Sequence, residues 1–427
     1  ARLDVLGRYN ADKTVDLRVT AAARPNAEGR TRASGTEIGK LAFDATIKGP
    51  IAGPAIVASL DAAEASLPTG RFDRLTARFT ATPNGALNEA GSRVALVADG
   101  EAAGVALADP ALARIVGDRV VFALRGTGND DATADFETLR LAMSGVELDY
   151  RGKLGQARIL GQARAVLPDL SRMSTLAGRS LAGRADLTAE LDATPKTAAY
   201  AATLNGRGDR LVLGEPALDR LLAGNLTLAG QVRALAGDLT VTGLRLAGQH
   251  AAFTADGAVA QAGSDLRLAI AVPDLKRADA RLSGKGDVTA RITGPRDRLD
   301  ATARIAVADA SALGRPIPRL ALDAVVRDLQ GALDSQVTLD GEIEGKPARG
   351  NLRFARLPGD GWNLPALDLA VGSVRLNGAL TLDQASRAAG RLTLAARNLD
   401  DISALALTKI GGAIDADIGL AVIEGRQ

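Results

Sequence analysis

The sequence predicts a mainly β protein: a long, curled antiparallel sheet built as a repeat array, with one apolar face left as an open groove and a few short amphipathic helices. Three observations predict it. Phe43-Asp44-Ala45-Thr46-Ile47-Lys48-Gly49-Pro50 lines up with Val288-Thr289-Ala290-Arg291-Ile292-Thr293-Gly294-Pro295 at an offset of 294 − 49 = 245. The offset holds onward without a gap, matching Ala63-Glu64-Ala65-Ser66 to Ala308-Asp309-Ala310-Ser311 and Arg74-Leu75 to Arg319-Leu320. Apolar and polar residues alternate through most of the chain, and Gly, Asp and Asn interrupt the alternation at short intervals.

The alternation defines the strands. In Asp186-Leu187-Thr188-Ala189-Glu190-Leu191 one face carries Leu187, Ala189 and Leu191 and the other carries charge or hydroxyl, as a half-buried strand requires. The same reading covers Val15/Leu17/Val19, Leu41/Phe43/Ala45/Ile47, Leu75/Ala77/Phe79, Leu226/Leu228, Leu266/Leu268/Ile270/Val272, Val288/Ala290/Ile292, Ala303/Ile305/Val307, Leu367/Leu369/Val371 and Leu392/Leu394. Asp99-Gly100, Asn205-Gly206 and Asp340-Gly341 are expected to turn hairpins. Pro168–Leu176 with Asp169 as N-cap, Pro216–Leu222 and Leu399–Leu405 space their apolar residues three or four apart and are expected to be short helices.

Larger units also recur. Leu107-Ala108-Asp109-Pro110, Leu213-Gly214-Glu215-Pro216 and Leu313-Gly314-Arg315-Pro316 follow at 213 − 107 = 106 and 313 − 213 = 100 residues, and Pro168-Asp169-Leu170 precedes Pro273-Asp274-Leu275 by 273 − 168 = 105. No Ser- or Pro-rich linker separates these modules. One continuous array over 1–427 is expected, with soft module edges near residues 39, 183, 284 and 411. The lack of an initiating Met and the end Glu424-Gly425-Arg426-Gln427 predict a piece of a longer chain.

Composition excludes more than it selects. Lys and Arg number 52 against 50 Asp and Glu, with no basic run suited to nucleic acid. Without Cys there is neither disulfide framework nor thiol chemistry. His250 is the sole histidine and is expected to be a surface or structural residue. Asp130-Asp131 and Asp400-Asp401 lack the spacing of a calcium loop and read as a loop and a helix first turn. The Gly-Lys pairs at 39, 152, 284 and 345 lack the rest of a phosphate loop. Trp362 reads as a packing anchor beside a turn. No catalytic constellation, metal or cofactor is expected, and an enzyme is the least favoured class.

A strand series with one apolar face must cover that face with a second sheet, by closing into a barrel, with a membrane, or with a bound apolar ligand. Aromatic residues are only 3 % of the chain, too few for the girdles of a membrane barrel and thin for a sandwich interior. A lining of Leu, Val, Ile and Ala suits acyl chains. Burial is worth about 0.8 kcal/mol per CH₂, and a uniform lining leaves a lipid free to slide. The expected lining is Leu41, Phe43, Ile47, Leu187, Leu191, Leu226, Leu228, Val288, Ile292, Ile305, Val307, Leu367, Leu369, Leu392 and Leu394. Roughly forty strand-plus-turn units at about 4.8 Å each would extend on the order of 100 to 200 Å.

Segments such as Gly286-Asp287-Val288-Thr289-Ala290-Arg291-Ile292-Thr293-Gly294-Pro295 followed by Leu299-Asp300-Ala301-Thr302-Ala303, together with Leu376-Asn377-Gly378-Ala379-Leu380-Thr381-Leu382 and Leu394-Ala395-Ala396-Arg397-Asn398-Leu399, resemble the TamB (translocation and assembly module subunit) and AsmA-like proteins of Gram-negative envelopes. The resemblance lies in texture and runs through nearly the whole chain, without an invariant motif. It implies a periplasmic, taco-shaped β-sheet with a hydrophobic groove that conducts phospholipids between inner and outer membranes and supports outer-membrane biogenesis. It further implies an inner-membrane anchor N-terminal to this chain and an Omp85-class barrel partner met by a C-terminal part, with this chain as the central groove. The competing expectations are a periplasmic scaffold or chaperone for outer-membrane proteins and autotransporters, and a secreted repeat adhesin.

Overall fold

The structure, a computed structural model, describes residues 2–22, 31–33 (backbone only), 36–359, 361–385 and 387–422. Residues 424–427, on which the expectation about the chain's end rests, and Asp360 beside Trp362 lie outside the described residues. The chain divides into two compact units, Ala1–Gly214 and Glu215–Gln427.

In the first unit twelve strands run in chain order from Arg2–Tyr9 to Ala199–Val212, each antiparallel to the last. Short strands Thr31–Ala33 and Ala106–Leu107 add to the sides of Thr36–Pro50 and Gly70–Asn84. In the second unit thirteen strands run from Asn225–Leu235 to Ile414–Leu420 in the same way. Within each unit the first and last strands do not pair with each other, so neither sheet closes. The expected fold class, a mainly β antiparallel open array with a few short helices, is borne out.

The 245-residue echo survives in three dimensions. Ala55–Leu67 and Asp300–Ala312 are equivalent strands at 300 − 55 = 245, and the pairing of Ala58 with Phe79 becomes that of Ala303 with Ala324. Even the irregularities match. Glu64 and Asp309 both take left-handed backbone, at φ 51° and 49°, a conformation that non-glycine residues adopt at a cost and that marks a built-in bend.

The hairpin turns are not where the dipeptides suggested. Asp99-Gly100, Asn205-Gly206 and Asp340-Gly341 all lie inside strands, Arg93–Ala103, Ala199–Val212 and Asp334–Ile343. Their glycines make room: a Cβ on Gly100 would stand 2.4 Å from Cζ of Phe122, and one on Gly341 would stand 2.6 Å from the Arg319 carbonyl oxygen. Two-residue turns form instead at Ala236-Gly237, Leu313-Gly314 and Glu344-Gly345, each with φ positive at both positions (50° and 88°, 53° and 76°, 52° and 74°), as type I′ turns demand. Strands reach 15 residues as a result, and twenty-seven of them, not about forty, account for the described residues.

All three expected helices form: Leu170–Met173 running into Ser174–Ala177, Pro216–Leu221, and Leu399–Ile402 running into Ser403–Ala406. Asp169 caps the first by accepting from the Ser171 N–H at 2.9 Å. Asp274 and Asn398 make the same cap, at 3.0 and 3.1 Å, on Leu275–Arg277 and Leu399–Ile402. Pro110–Val116, capped by Asp109, is a further helix. Residues 39, 183 and 284 fall inside long strands, and the registers slip at Gly183 and Gly284, so two of these glycines mark bulges.

Consecutive strands alternate in direction, so their connections alternate between the two margins of each sheet. Pro110–Val116 and Leu170–Ala177 share one margin of the first unit, and Leu275–Arg277 and Leu399–Ala406 share one margin of the second. The densest core sits at that second margin: Ile343, Ala348 and Val371 pack with Ala404, Ile402 and Leu405. Below it, Lys346 Nζ meets Asp401 at 2.7 Å and the Ser373 N–H donates to the other oxygen of that carboxylate at 2.6 Å. Burial pushes the Asp401 carboxyl up, but these hydrogen bonds outweigh it and hold it below the usual range. Arg315 bridges Glu344 and Asp400 beside it.

Candidate functional site

Residues directly opposite in an antiparallel pair share a face, so the registers trace rows of side chains across each sheet. In the second unit Val288 stands between Ile270 and Ile305. From Ile305 the row continues through Leu322, Leu339, Gly350, Leu369, Leu376 and Leu394. From Ile270 it runs back through Phe253 and Leu246 to Leu228. Five residues named from sequence alone, Leu228, Val288, Ile305, Leu369 and Leu394, are thus in one row. Ile292 lies on the same face between Leu266 and Ala301, Val307 between Gly286 and Leu320, Leu367 between Leu352 and Gly378, and Leu392 between Gly378 and Ile418.

The first unit repeats the arrangement. Phe43 leads through Leu60, Ala77, Gly100, Phe122 and Leu141 to Leu148, Ala165 and Leu187. Ile47 leads through Ile56, Ala81, Leu96, Gly126, Phe136, Gly152 and Gly161 to Leu191. Leu41 lies on the same face opposite Ala62. Neither row contains a charge. The rows traced across the second unit are equally free of charge; cations enter that face at its margins, Arg315 and Lys346 where they meet Asp400 and Asp401 of the covering helix, and Arg356 beside Trp362 at the margin away from the helices.

This face is uncovered across its middle. Phe79, Leu148, Leu187, Ile270 and Ile305 are 37 to 42 % exposed, unusual for aliphatic side chains in continuous rows. Leu226 differs from the other named residues: at 2 % exposure it belongs to the packed interior and not to the open lining.

The opposite face carries the charge. Arg18–Asp44, Arg158–Asp192, Arg164–Asp186, Arg291–Asp265 and Arg391–Asp417 are ion pairs at 2.5 to 2.8 Å. Each joins a residue to the diagonal neighbour across its strand pair, within reach of long side chains. Hydrogen bonds from the arginines hold the Asp186, Asp265 and Asp417 carboxyls below the usual range. Such pairs at the surface stabilise weakly. Their larger effect is to specify which face is wet, since a one-residue slip would turn every one of them inward.

Depressions open on the charged face. One is lined by Asp149, Arg151, Arg164, Thr188 and Glu190. Two others, at Asp44, Ser59 and Arg78 and at Thr289, Arg304 and Asp323, are the same place in the repeat, since 289 − 44, 304 − 59 and 323 − 78 all equal 245. Their linings differ in chemistry, so they follow from the shape of the module.

No helix among the described residues is long and apolar enough to cross a membrane, and none of their His, Asp and Glu side chains group to hold a metal. Asp130 and Asp131 sit in the expected loop, engaged by the Gly91 N–H at 2.7 Å and the Thr133 N–H at 3.0 Å. Comparison with protein families, with curated proteins and with solved structures finds no match to this chain.

Proposed function

We propose that the apolar face of each sheet is a track for phospholipid acyl chains, and that the protein is a periplasmic, bridge-like lipid conduit of the TamB and AsmA-like kind. In that setting an N-terminal anchor in the inner membrane and an Omp85-class barrel in the outer membrane, both engaged by segments beyond this chain, would complete the route. The observation that supports this reading is the set of apolar rows on each sheet, free of charge and open to solvent at their centre. An acyl chain laid on them gains about 0.8 kcal/mol per buried CH₂ and meets no hydrogen-bonding partner that would fix its position. Photo-crosslinking probes at Leu187, Ile292 and Leu369 are expected to capture phospholipid in a Gram-negative periplasm. Capture from Arg291, on the charged face, at the same yield would overturn the reading.

A scaffold for client β-strands is the second reading, supported by the strands Arg2–Tyr9 and Ile414–Leu420, each of which, among the described residues, pairs along one side only and offers a row of backbone groups for strand addition. Probes at those two strands would then capture polypeptide, and charge on the apolar face would leave client binding unchanged.

A further inference from the structure

At the margin of the second unit's apolar face away from the helices stands Arg356, and its surroundings are specific. Leu352, Phe354 and Arg356 alternate onto this face along the strand Lys346–Leu357, and Arg356 pairs across with Trp362. The guanidinium carbon lies 5.7 Å from the Trp362 ring centroid, and the Phe354 and Trp362 rings are 5.9 Å apart and tilted by 58°. The carboxylate of the next turn on this margin, Asp383, is taken by Arg387 at 2.7 Å, and among the described residues no carboxylate pairs with Arg356. A guanidinium placed over an indole at cation–π distance keeps N–H donors for another partner.

We infer that Arg356 and Trp362 form a docking station for the phosphodiester of a phospholipid whose acyl chains lie on the adjoining rows. The inference rests on the proposed acyl track and assigns a place on it. From Phe354 to Ala348, at the helix-covered margin, the strand advances about 20 Å at roughly 3.3 Å per residue. One leaflet of hydrocarbon is about 15 Å deep. An acyl chain lying along the strands over Leu352, Leu367 and Leu369 therefore fits between the rim and the helices, with its phosphate at Arg356. Trp362 supplies the half-apolar, half-polar surface that suits the junction of headgroup and chain. Elsewhere the rows show a lipid no preferred stop, and here a charge-assisted contact gives it one.

The test uses the intact chain with two probes of matched short acyl chains, a phosphatidylglycerol and an uncharged diacylglycerol, and inorganic phosphate as a third ligand. Wild type is expected to bind the phosphatidylglycerol about tenfold more tightly than the diacylglycerol. Arg356→Gln is expected to erase that difference without weakening diacylglycerol, and Arg356→Lys to restore part of it. Equal affinity of wild type for the two lipids, or equal loss of both in Arg356→Gln, overturns the station but leaves the track standing. Failure of wild type to bind either lipid overturns the track and the station together. Phosphate competing as well as the lipid would make the site an anion site unconnected to the track, which also overturns the inference.

Discussion

Placing a charge in the middle of the apolar face separates a lipid track from a mere structural surface, and Ile292→Arg does so in the second unit. Ile292 is half-buried between Leu266 and Ala301. Losing about half of an isoleucine's burial costs roughly 1 kcal/mol, against a total stability of order 5 to 15 kcal/mol. The sheet is therefore expected to stay folded, with the guanidinium reaching into water. An acyl chain crossing that point must then bury or displace the ion, at several kcal/mol, and about 3 kcal/mol is already about a hundredfold in local occupancy. The matched control is Arg291→Leu, which breaks the 2.8 Å pair with Asp265 on the other face at about 0.2–1 kcal/mol. The assay is transfer of a fluorescent phospholipid between donor and acceptor vesicles by the purified chain, with circular dichroism reporting the fold. Ile292→Arg is expected to slow transfer at least tenfold while Arg291→Leu stays within twofold of wild type. Equal inhibition by both, or undiminished transfer in a folded Ile292→Arg protein, would refute the reasoning.

Four further outcomes follow from the same geometry. Gly257→Ala would set a Cβ 1.9 Å from the Asp265 carbonyl oxygen in backbone at φ 124°, and urea unfolding should show a loss of about 1–3 kcal/mol. Lys346→Met leaves the Asp401 carboxylate, 5 % exposed, without its cation; a loss of about 2 kcal/mol is expected by the same measurement, and it should shrink when Asp401 is also replaced by Asn. Ala236→Asn puts a residue tolerant of left-handed backbone at the first turn position, φ 50°, and should stabilise by about 0.5–1 kcal/mol. The Asp186, Asp265 and Asp417 carboxyls titrate lower in the folded chain than in the unfolded one. Their contribution is complete above the unfolded value of about 3.9 and is lost as pH falls through the folded values. Stability followed by circular dichroism should therefore fall as pH drops below about 4, less steeply in Arg291→Leu.

Period-two alternation made the strands and their faces legible, because the face of a strand residue depends only on parity. Phe43 and Leu187, far apart in sequence, could be put on one side without knowing which strands pair; that they share a row is a matter of register, which needs the whole fold. The helix at Leu170 was legible through its Asp169 cap, and Asp274 carries the same signal. Pro110–Val116 was legible through the likeness of Asp109-Pro110 to Glu215-Pro216. The third member, Arg315-Pro316, enters a strand because Leu313 and Gly314 before it close a tight turn. Glycine after Asp or Asn misled for a physical reason: in these sheets it makes way for a ring or a leucine from the next strand. Arg356 was visible as an odd member of the Leu352, Phe354 alternation, but only its pairing with Trp362 gives it a meaning.

The left-handed residues Glu64 and Asp309 place the same bend at the same point of two modules. A chain that keeps its bends in step with its copies can be lengthened by whole modules without disturbing the registers already made. Two strands, the smallest addition that keeps the direction of those that follow, add about 10 Å at roughly 4.8 Å apiece. Span then becomes a quantity that gene duplication adjusts in fixed increments, as links set the length of a chain, and proteins of this build are expected to differ in reach by multiples of one step.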